Sequence, residues 1–497
     1  MLFKNEDKHN KKPPLSLLER DDDLSVLRAE NDQRVEEVFQ FIEEFFTLED
    51  FNRQLIGFSS GAIISNIKYR VWIIRTEKYF STFSLLSDLV SKANEKFGQE
   101  IITFTYEEDD IEDEQFAIFY IHNLHVIRPT LDEILSQKDD YIEDSRREFL
   151  CCVNERNNPY PFNFNDTQLM LIGGKNPSST GDFLRALISG LIYCYSPEEV
   201  KFIFCDKEGF FDCFNDTPYN YFQKSIVDYS LCLEIIDYLL ELQKKRQEEL
   251  DKKECATVDD YNKKFGKKMP KIFFMVRDFY AVRVALGAKS MLILRKIIQL
   301  KQNALYTGIS IVLCSPIENR DVFCAYLRTE SECRIGYKTQ SALDSYMIIA
   351  SKDAHKLFTE EECIFAKKRF KFLIAPAYVQ ADKFWQLGCF FKDEFYKYPA
   401  VKDLKGIIKK VYEDNRNEEQ KEKDENETFI KESMRILFER NRISEGVIRS
   451  CFLIDNGKAR KILQELVARN YVKKCTITDY QPNITKEEYK KIFNEED

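Results

Sequence analysis

Hydrophobic and polar positions change period several times along the chain, and each change predicts a different kind of element. From Leu24 to Phe51, Val35, Val38, Ile42, Phe45 and Phe46 recur at helical spacing among acidic residues, which predicts an amphipathic helix. Between Gly61 and Leu135 the pattern turns over. GAIISNIKYRVWII alternates like a half-buried strand, TFSLLSDLVSKANEKFG reads as a helix, and EIITFTYEE and QFAIFYIHNLHVI read as strands leading into RPTLDEIL. These elements predict a small α+β domain over residues 55–145, preceded by an arm and helix over 1–54. His122 and His125 fall on opposite faces of the last strand, so a shared metal is not expected.

The stretch from Gln168 to Asp206 organises the rest. Leu169 to Ile172 is an apolar run closed by Gly173 and Gly174, Phe183 to Tyr195 is apolar at helical spacing, and Val200 to Cys205 is a second run ending at Asp206. This is a βαβ unit. A helix over Ile226 to Lys252 follows, then a loop at ATVDDYNKKFG, a strand from Lys271 to Val276, a helix from Leu292 to Leu305 and a strand from Ser310 to Cys314. Elements of these lengths predict a mostly parallel sheet covered on both faces, spanning 146–398. Residues 399–427 are densely and evenly charged and read as a linker. Three helices and a hairpin follow, at ETFIKESMRILFERN, ISEGVIRSCF, NGKARKILQELVARN and YVKKCTITDY, in the order of a winged helix over 428–497.

Composition narrows the function classes. A 44% hydrophobic, 32% charged chain of 497 residues has enough apolar surface for several packed domains. A net charge of −10 excludes a generally basic coat for nucleic acid, so any such contact must be local. The tail supplies one. From Lys431 to Thr478 the chain is basic, with Lys458, Arg460 and Lys461 opening the third helix and Lys473 and Lys474 in the hairpin, where a recognition helix and wing meet duplex DNA. The 14 cysteines include no CxxC and lie mostly in apolar runs, which fits buried thiols in a reducing, cytoplasmic location. No apolar run reaches membrane-spanning length, and the charged start does not read as a signal peptide.

The first βαβ loop has the frame of a phosphate loop without its chemistry. The spacing G-x-x-x-x-G-K-[ST] places backbone amides, a lysine and a hydroxyl around phosphate and Mg²⁺. Counted from Gly174 it gives Ser179, Thr180 and Gly181, and the nearest cation, Lys175, stands at the other end of the loop. A plain turn between a core strand and a core helix accounts for the same residues.

Taken together, the segments resemble the FtsK/SpoIIIE family of double-stranded DNA translocases. The resemblance runs in family order through HNLHVIRPTLDEIL, LIYCYSPEEVKFIFCDKEG, YLLELQKKRQEEL, IVLCSPIENRDVFCAYLRTESECRIGY and ISEGVIRSCFLIDNGKARKILQELVARNYV, over about residues 55 to 480. It implies an α/β chain with a RecA-like P-loop NTPase-type core, a small N-terminal α+β domain and a C-terminal winged-helix domain. It also implies a homo-hexameric ring, or association with an active family member, around double-stranded DNA.

The departures fall on the chemistry. Thr180 stands where the family has its phosphate-loop lysine, Gly181 where it has a Ser or Thr, Arg277 and Asp278 where it has the Asp-Glu pair, and Ser315 where it has a glutamine. Arg334 matches an arginine that can face a neighbouring subunit's nucleotide, a structural ion pair being the alternative for it. The resemblance therefore implies at most weak binding of ATP with Mg²⁺ through Gly174, Lys175, Ser179, Thr180 and Gly181, with Asp278 and Arg334 as the remaining catalytic positions and no resident metal site. Three readings stay open: a scaffold or regulator with a degenerate ATPase site, an active translocase with nonstandard residues, and a DNA-independent adaptor in a secretion or mobile-element apparatus.

Overall fold

The computed structural model describes residues 13–20, 23–48, 53–59, 66–73, 82–98, 102–109, 114–122, 125, 127–155, 157–266, 269–316, 322–357, 359–368, 370–394, 418–476 and 478–493. The expected arm at 1–12, parts of the predicted segments at 61–65, 123–124 and 317–321, and the linker as far as residue 417 lie outside the described residues.

The first amphipathic period forms α1 (Ser25–Leu48), which packs with α2 (Thr82–Phe97) beside an antiparallel sheet of β1 (Arg53–Ser59), β2 (Asn66–Ile73), β3 (Ile102–Asp109) and β4 (Glu114–His122) in the order β1-β2-β4-β3. Val38, Ile42, Leu86, Leu89, Ile102 and Ile121 close its core. His125 Nε2 lies 2.5 Å from Glu30 of α1, while His122 is buried in β4. Among the described residues no cluster of three or more His, Cys, Asp or Glu is arranged to hold a metal.

All six residues of the central apolar run are buried, which only a strand covered on both faces can satisfy. The sheet around it comprises β5 (Glu148–Asn154), β6 (Pro159–Asn163), β7 (Leu169–Gly174), β8 (Val200–Cys205), β9 (Lys271–Val276), β10 (Ile309–Pro316), β11 (Cys333–Tyr337), β12 (Cys363–Lys367) and β13 (Phe370–Pro376), ordered β6-β5-β13-β12-β11-β7-β10-β9-β8. Numbered one to five in chain order, the parallel strands lie 5-1-4-3-2, the winding of a RecA-like sheet. The expectation of a mostly parallel sheet needs correcting on one side. β12, β13, β5 and β6 extend it antiparallel, because β5–β6 and β12–β13 are joined by short turns that cannot accommodate a crossover helix.

Successive residues of each parallel strand point to opposite faces. Leu171, Phe274 and Leu313 face α4 (Cys232–Lys252), α6 (Phe279–Leu286) and α7 (Ser290–Gln302), whereas Ile172, Phe273 and Val312 face α3 (Pro177–Cys194). Two helical boundaries differ from the sequence reading. The segment read as the loop ATVDDYNKKFG holds α5 (Val258–Phe265), started by a reciprocal cap in which Thr257 Oγ1 accepts from Asp260 N and the Asp260 carboxylate accepts from Thr257 N, both at 3.1 Å. The central helix also begins at Pro177, six residues before the predicted Phe183. Beyond β10 lies α8 (Ala325–Glu330).

The tail consists of α9 (Glu418–Arg440), α10 (Glu445–Phe452), α11 (Asn456–Ala468) and an antiparallel hairpin of β14 (Val472–Lys474) and β15 (Tyr480–Pro482), followed by a short helix, Lys486–Ile492, that the pattern did not predict. The last third of the expected linker, 418–427, is thus the first turns of α9. Nor does the tail hang free. Phe429, Met434, Leu437, Ile448 and Phe452 join the same apolar core as Leu286 and Ile293 of the sheet's helical face. Arg283, 1% exposed, crosses the junction: its Nε donates to Ser290 Oγ at 3.0 Å, Nη1 to the Val322 carbonyl at 3.1 Å and Nη2 to the Cys451 carbonyl at 2.5 Å. Arg295 of α7 pairs with Glu432 and, at 3.1 Å, with Glu439 of α9.

Charge-assisted hydrogen bonds of this kind contribute about 1.5–3 kcal/mol each when one partner is removed. Arg283→Met should therefore lower unfolding stability by roughly 3 kcal/mol and hasten tryptic cleavage within 418–493. A urea midpoint and cleavage rate equal to wild type would show that the junction does not depend on this side chain.

Candidate functional sites

At the carboxyl end of β7 the chain has no room to wrap an anion. Gly173 and Gly174 are strand residues, and a Cβ on Gly174 would lie 2.5 Å from Tyr337 Cβ, so close packing alone requires glycine there. Only Lys175 and Asn176 separate β7 from α3. Lys175 is exposed, its N–H bonded to the Lys338 carbonyl at 3.2 Å, and Asn176 caps the helix, its Oδ1 accepting from Ser178 N at 2.9 Å. Pro177, at the first helical position, has no N–H to offer. Ser179, Thr180 and Gly181, expected on an open loop, are buried in the first turns of α3.

The neighbouring strand ends fill the space above that turn. Arg277, directly after β9, is 9% exposed; its Nη2 donates to the Pro177 carbonyl at 2.8 Å and its Nη1 to Thr180 Oγ1 at 3.1 Å. The guanidinium stacks 5.0 Å from the Phe210 ring, whose centroid is also 5.6 Å from Arg185. Phe210 in turn is placed by Asp206, whose carboxylate accepts from Glu208 N at 3.1 Å and Phe210 N at 2.5 Å. Asp278 is the N-cap of α6, its Oδ1 accepting from Ala281 N at 3.1 Å, with Ser315 Oγ 3.4 Å away. Burial pushes the nearby Cys314 thiol up to about 12, so it stays neutral.

These residues do not fit a nucleoside triphosphate with Mg²⁺. The helix terminus that would receive phosphate is capped internally, a guanidinium stands where a carboxylate would support the metal, and Asp278 is engaged as a cap. Arg334, expected to reach a neighbouring subunit, is 7% exposed and donates to the Arg328 carbonyl at the end of α8 at 2.5 Å. Reaching outward would break that bond. Asn176, Phe210 and Arg185 were not among the sequence candidates, although Asn-Pro before an apolar helix is a start signal.

In the tail the five expected basic contacts lie on α11 and β14. All are exposed. Lys458 pairs with Glu425 at 3.3 Å and Arg460 with Glu445 at 3.2 Å.

A sheet wound in this order, with a helix starting at the end of its central strand, defines a RecA-like, P-loop NTPase-type core. Residues 131–310 match the model of the FtsK/SpoIIIE family. A DNA translocase FtsK of Borreliella burgdorferi is 27% identical over 202 residues, covering 39% of this chain and 25% of the relative. That of Treponema pallidum is 21% identical over 332 residues, covering 63% and 39%. The chain thus spans a quarter to two fifths of the length of these relatives. Among solved structures, the pCW3 conjugation coupling protein TcpA, in its monomer form with ATPγS, is similar over 71% of this chain and 96% of its own at 14% identity and a TM-score of 0.46. Among the described residues no helix is long and apolar enough to cross a membrane.

If Asp278 acts as a cap, Asp278→Ala should cost about 1 kcal/mol of stability and Asp278→Ser should restore most of it, since serine caps but ligates Mg²⁺ poorly. Thermal unfolding of the three proteins with and without Mg²⁺ tests this. A Mg²⁺-dependent stabilisation lost equally in both variants would make Asp278 a metal ligand.

Proposed function

We propose that this chain is an FtsK/SpoIIIE-type protein that keeps the motor fold as a scaffold without hydrolysing ATP, and that its tail is a winged-helix module that contacts double-stranded DNA. The observation that carries the first part is the Arg277 guanidinium bonded to the first turn of α3. Phosphoryl transfer relies on cations and donors placed around the transferring group, and losing one such donor typically costs on the order of 10²–10³ in rate. Here the lysine, the hydroxyl and the metal-supporting carboxylate are all replaced. The second part rests on the order helix, helix, longer helix, hairpin, with exposed Lys461, Lys473 and Lys474 free to meet phosphates.

Association with an active family member, or with further copies in a ring, is the arrangement in which a motor fold without turnover serves DNA movement. It places the protein as a regulator or targeting subunit.

Purified full chain should show no Mg²⁺-dependent ATP turnover above a no-protein control, with or without a 30-base-pair duplex. It should also retain that duplex at low salt, and Lys461→Glu with Lys473→Glu and Lys474→Glu should weaken retention at least tenfold. Duplex-stimulated turnover would favour an active translocase instead. No retention at low salt would favour a DNA-independent adaptor.

A further inference from the structure

Lys458 and Arg460 of α11 and Arg469 at its C-cap are already paired with carboxylates of the same chain. Lys458, Lys461, Glu465 and Arg469 fall three or four residues apart and so share one face of the helix. Across an open groove of about 1070 Å³ that face looks onto Glu425, Asn426 and Phe429 of α9. Glu425 pairs with Lys458 at 3.3 Å, while the Lys458 ammonium also sits 4.5 Å from the Phe429 ring. At the far end of α11, Glu427 takes both terminal nitrogens of Arg469, at 2.5 and 2.8 Å. The helix terminus itself is capped by Asp455, which accepts from Lys458 N at 2.9 Å.

The position of α9 is not incidental to this. A Cβ on Gly287, in the turn between α6 and α7, would lie 2.8 Å from Glu425 Oε1, so the Glu425 carboxylate lies against that turn of the RecA-like core. The chain from Glu418 to Glu427 carries six acids and two lysines. A duplex entering the groove would bring phosphates to the positions these carboxylates hold.

We propose that the acidic N-terminal turns of α9 are a tethered competitor of nucleic-acid phosphate for Lys458 and Arg469, so that the tail presents its full basic face only when α9 is drawn off α11. The inference rests on the DNA-contacting reading above. It assigns the control of that contact to Glu425 and Glu427 and to their seat on the core.

The test compares wild type, Glu425→Gln/Glu427→Gln, and Glu241→Gln/Glu248→Gln on the exposed side of α4, which makes the same charge change elsewhere. Each full-length protein is titrated against a fluorescent 30-base-pair duplex between 50 and 200 mM salt. Exposed ion pairs are individually weak, so removing two competitors should raise affinity about three- to tenfold, and two freed cations should steepen the salt dependence by about one to two phosphates' worth. Adding Lys458→Gln to the first variant should remove about half of the gain. Equal affinity of wild type and the Glu425/Glu427 variant, or an equal gain from the α4 control, would overturn the competitor while leaving DNA contact standing. Absence of binding by every protein at 50 mM salt would overturn both.

Discussion

The arrangement of the central site follows from one buried charge. Arg277 leaves β9 pointing into the space at the start of α3, where the aligned peptide dipoles of the helix already make the potential positive. A guanidinium there gains nothing from the helix and must be satisfied by individual acceptors. The Pro177 carbonyl, Thr180 Oγ1 and the face of Phe210 supply them. Moving the first turn of α3 away, as a wider loop would require, strips the arginine of two hydrogen bonds in a place where burial makes their loss expensive. Asn176 and Pro177 fix the same geometry from the sequence side.

The same constraint explains why neighbouring departures occur together. Once Arg277 lies over the helix, a lysine at position 180 would place a second cation within hydrogen-bonding distance of the first, while threonine offers an acceptor. A Cβ at position 181 would come within 3.2 and 3.3 Å of Phe210 and Arg277, so a side chain there would press on both the ring and the guanidinium. Asp206, which the family resemblance makes an acidic strand-end residue, orders the turn that delivers Phe210. Arg277, Thr180, Gly181 and Phe210 thus form one set of mutual contacts at the start of α3, in which Arg277 Nη1 and Nη2 find acceptors while its buried Nε has none.

Much of the fold was legible because burial on both faces leaves a plain signature. The runs at Leu169, Val200, Lys271 and Ser310 could be placed as parallel strands, and the helix, helix, helix, hairpin order of the tail could be read from period and punctuation. What escaped was local chemistry read too loosely. Asn176-Pro177 and Thr257-x-x-Asp260 are helix-start signals, yet glycine nearby in one case and dense charge in the other made loops more persuasive. The antiparallel half of the sheet was hidden because Cys363–Lys367 and Phe370–Pro376 are short and β5 follows a polar segment. No sequence period reports that α9 lies across α11, since that contact joins residues over thirty positions apart.

That long-range contact changes how the tail should be regarded. A charged linker before a small module suggests a tether whose length sets how far the module can search. Here the last third of the stretch is already the start of α9, and further along that helix Phe429, Met434 and Leu437 share a core with the sheet's helices, Arg295 of α7 pairs with Glu432 and Glu439, and Arg283 donates to the Cys451 carbonyl of α10. Motion of the module is then coupled to the motor fold, because α10 and α11 cannot swing without breaking the Cys451 and Glu432 contacts. The core can transmit an event at its surface to the tail whether or not nucleotide is turned over, since the two share an apolar core across this junction. Any partner that shifts α7 or the Gly287 turn shifts Glu425, and with it the charge that the third tail helix presents to its surroundings.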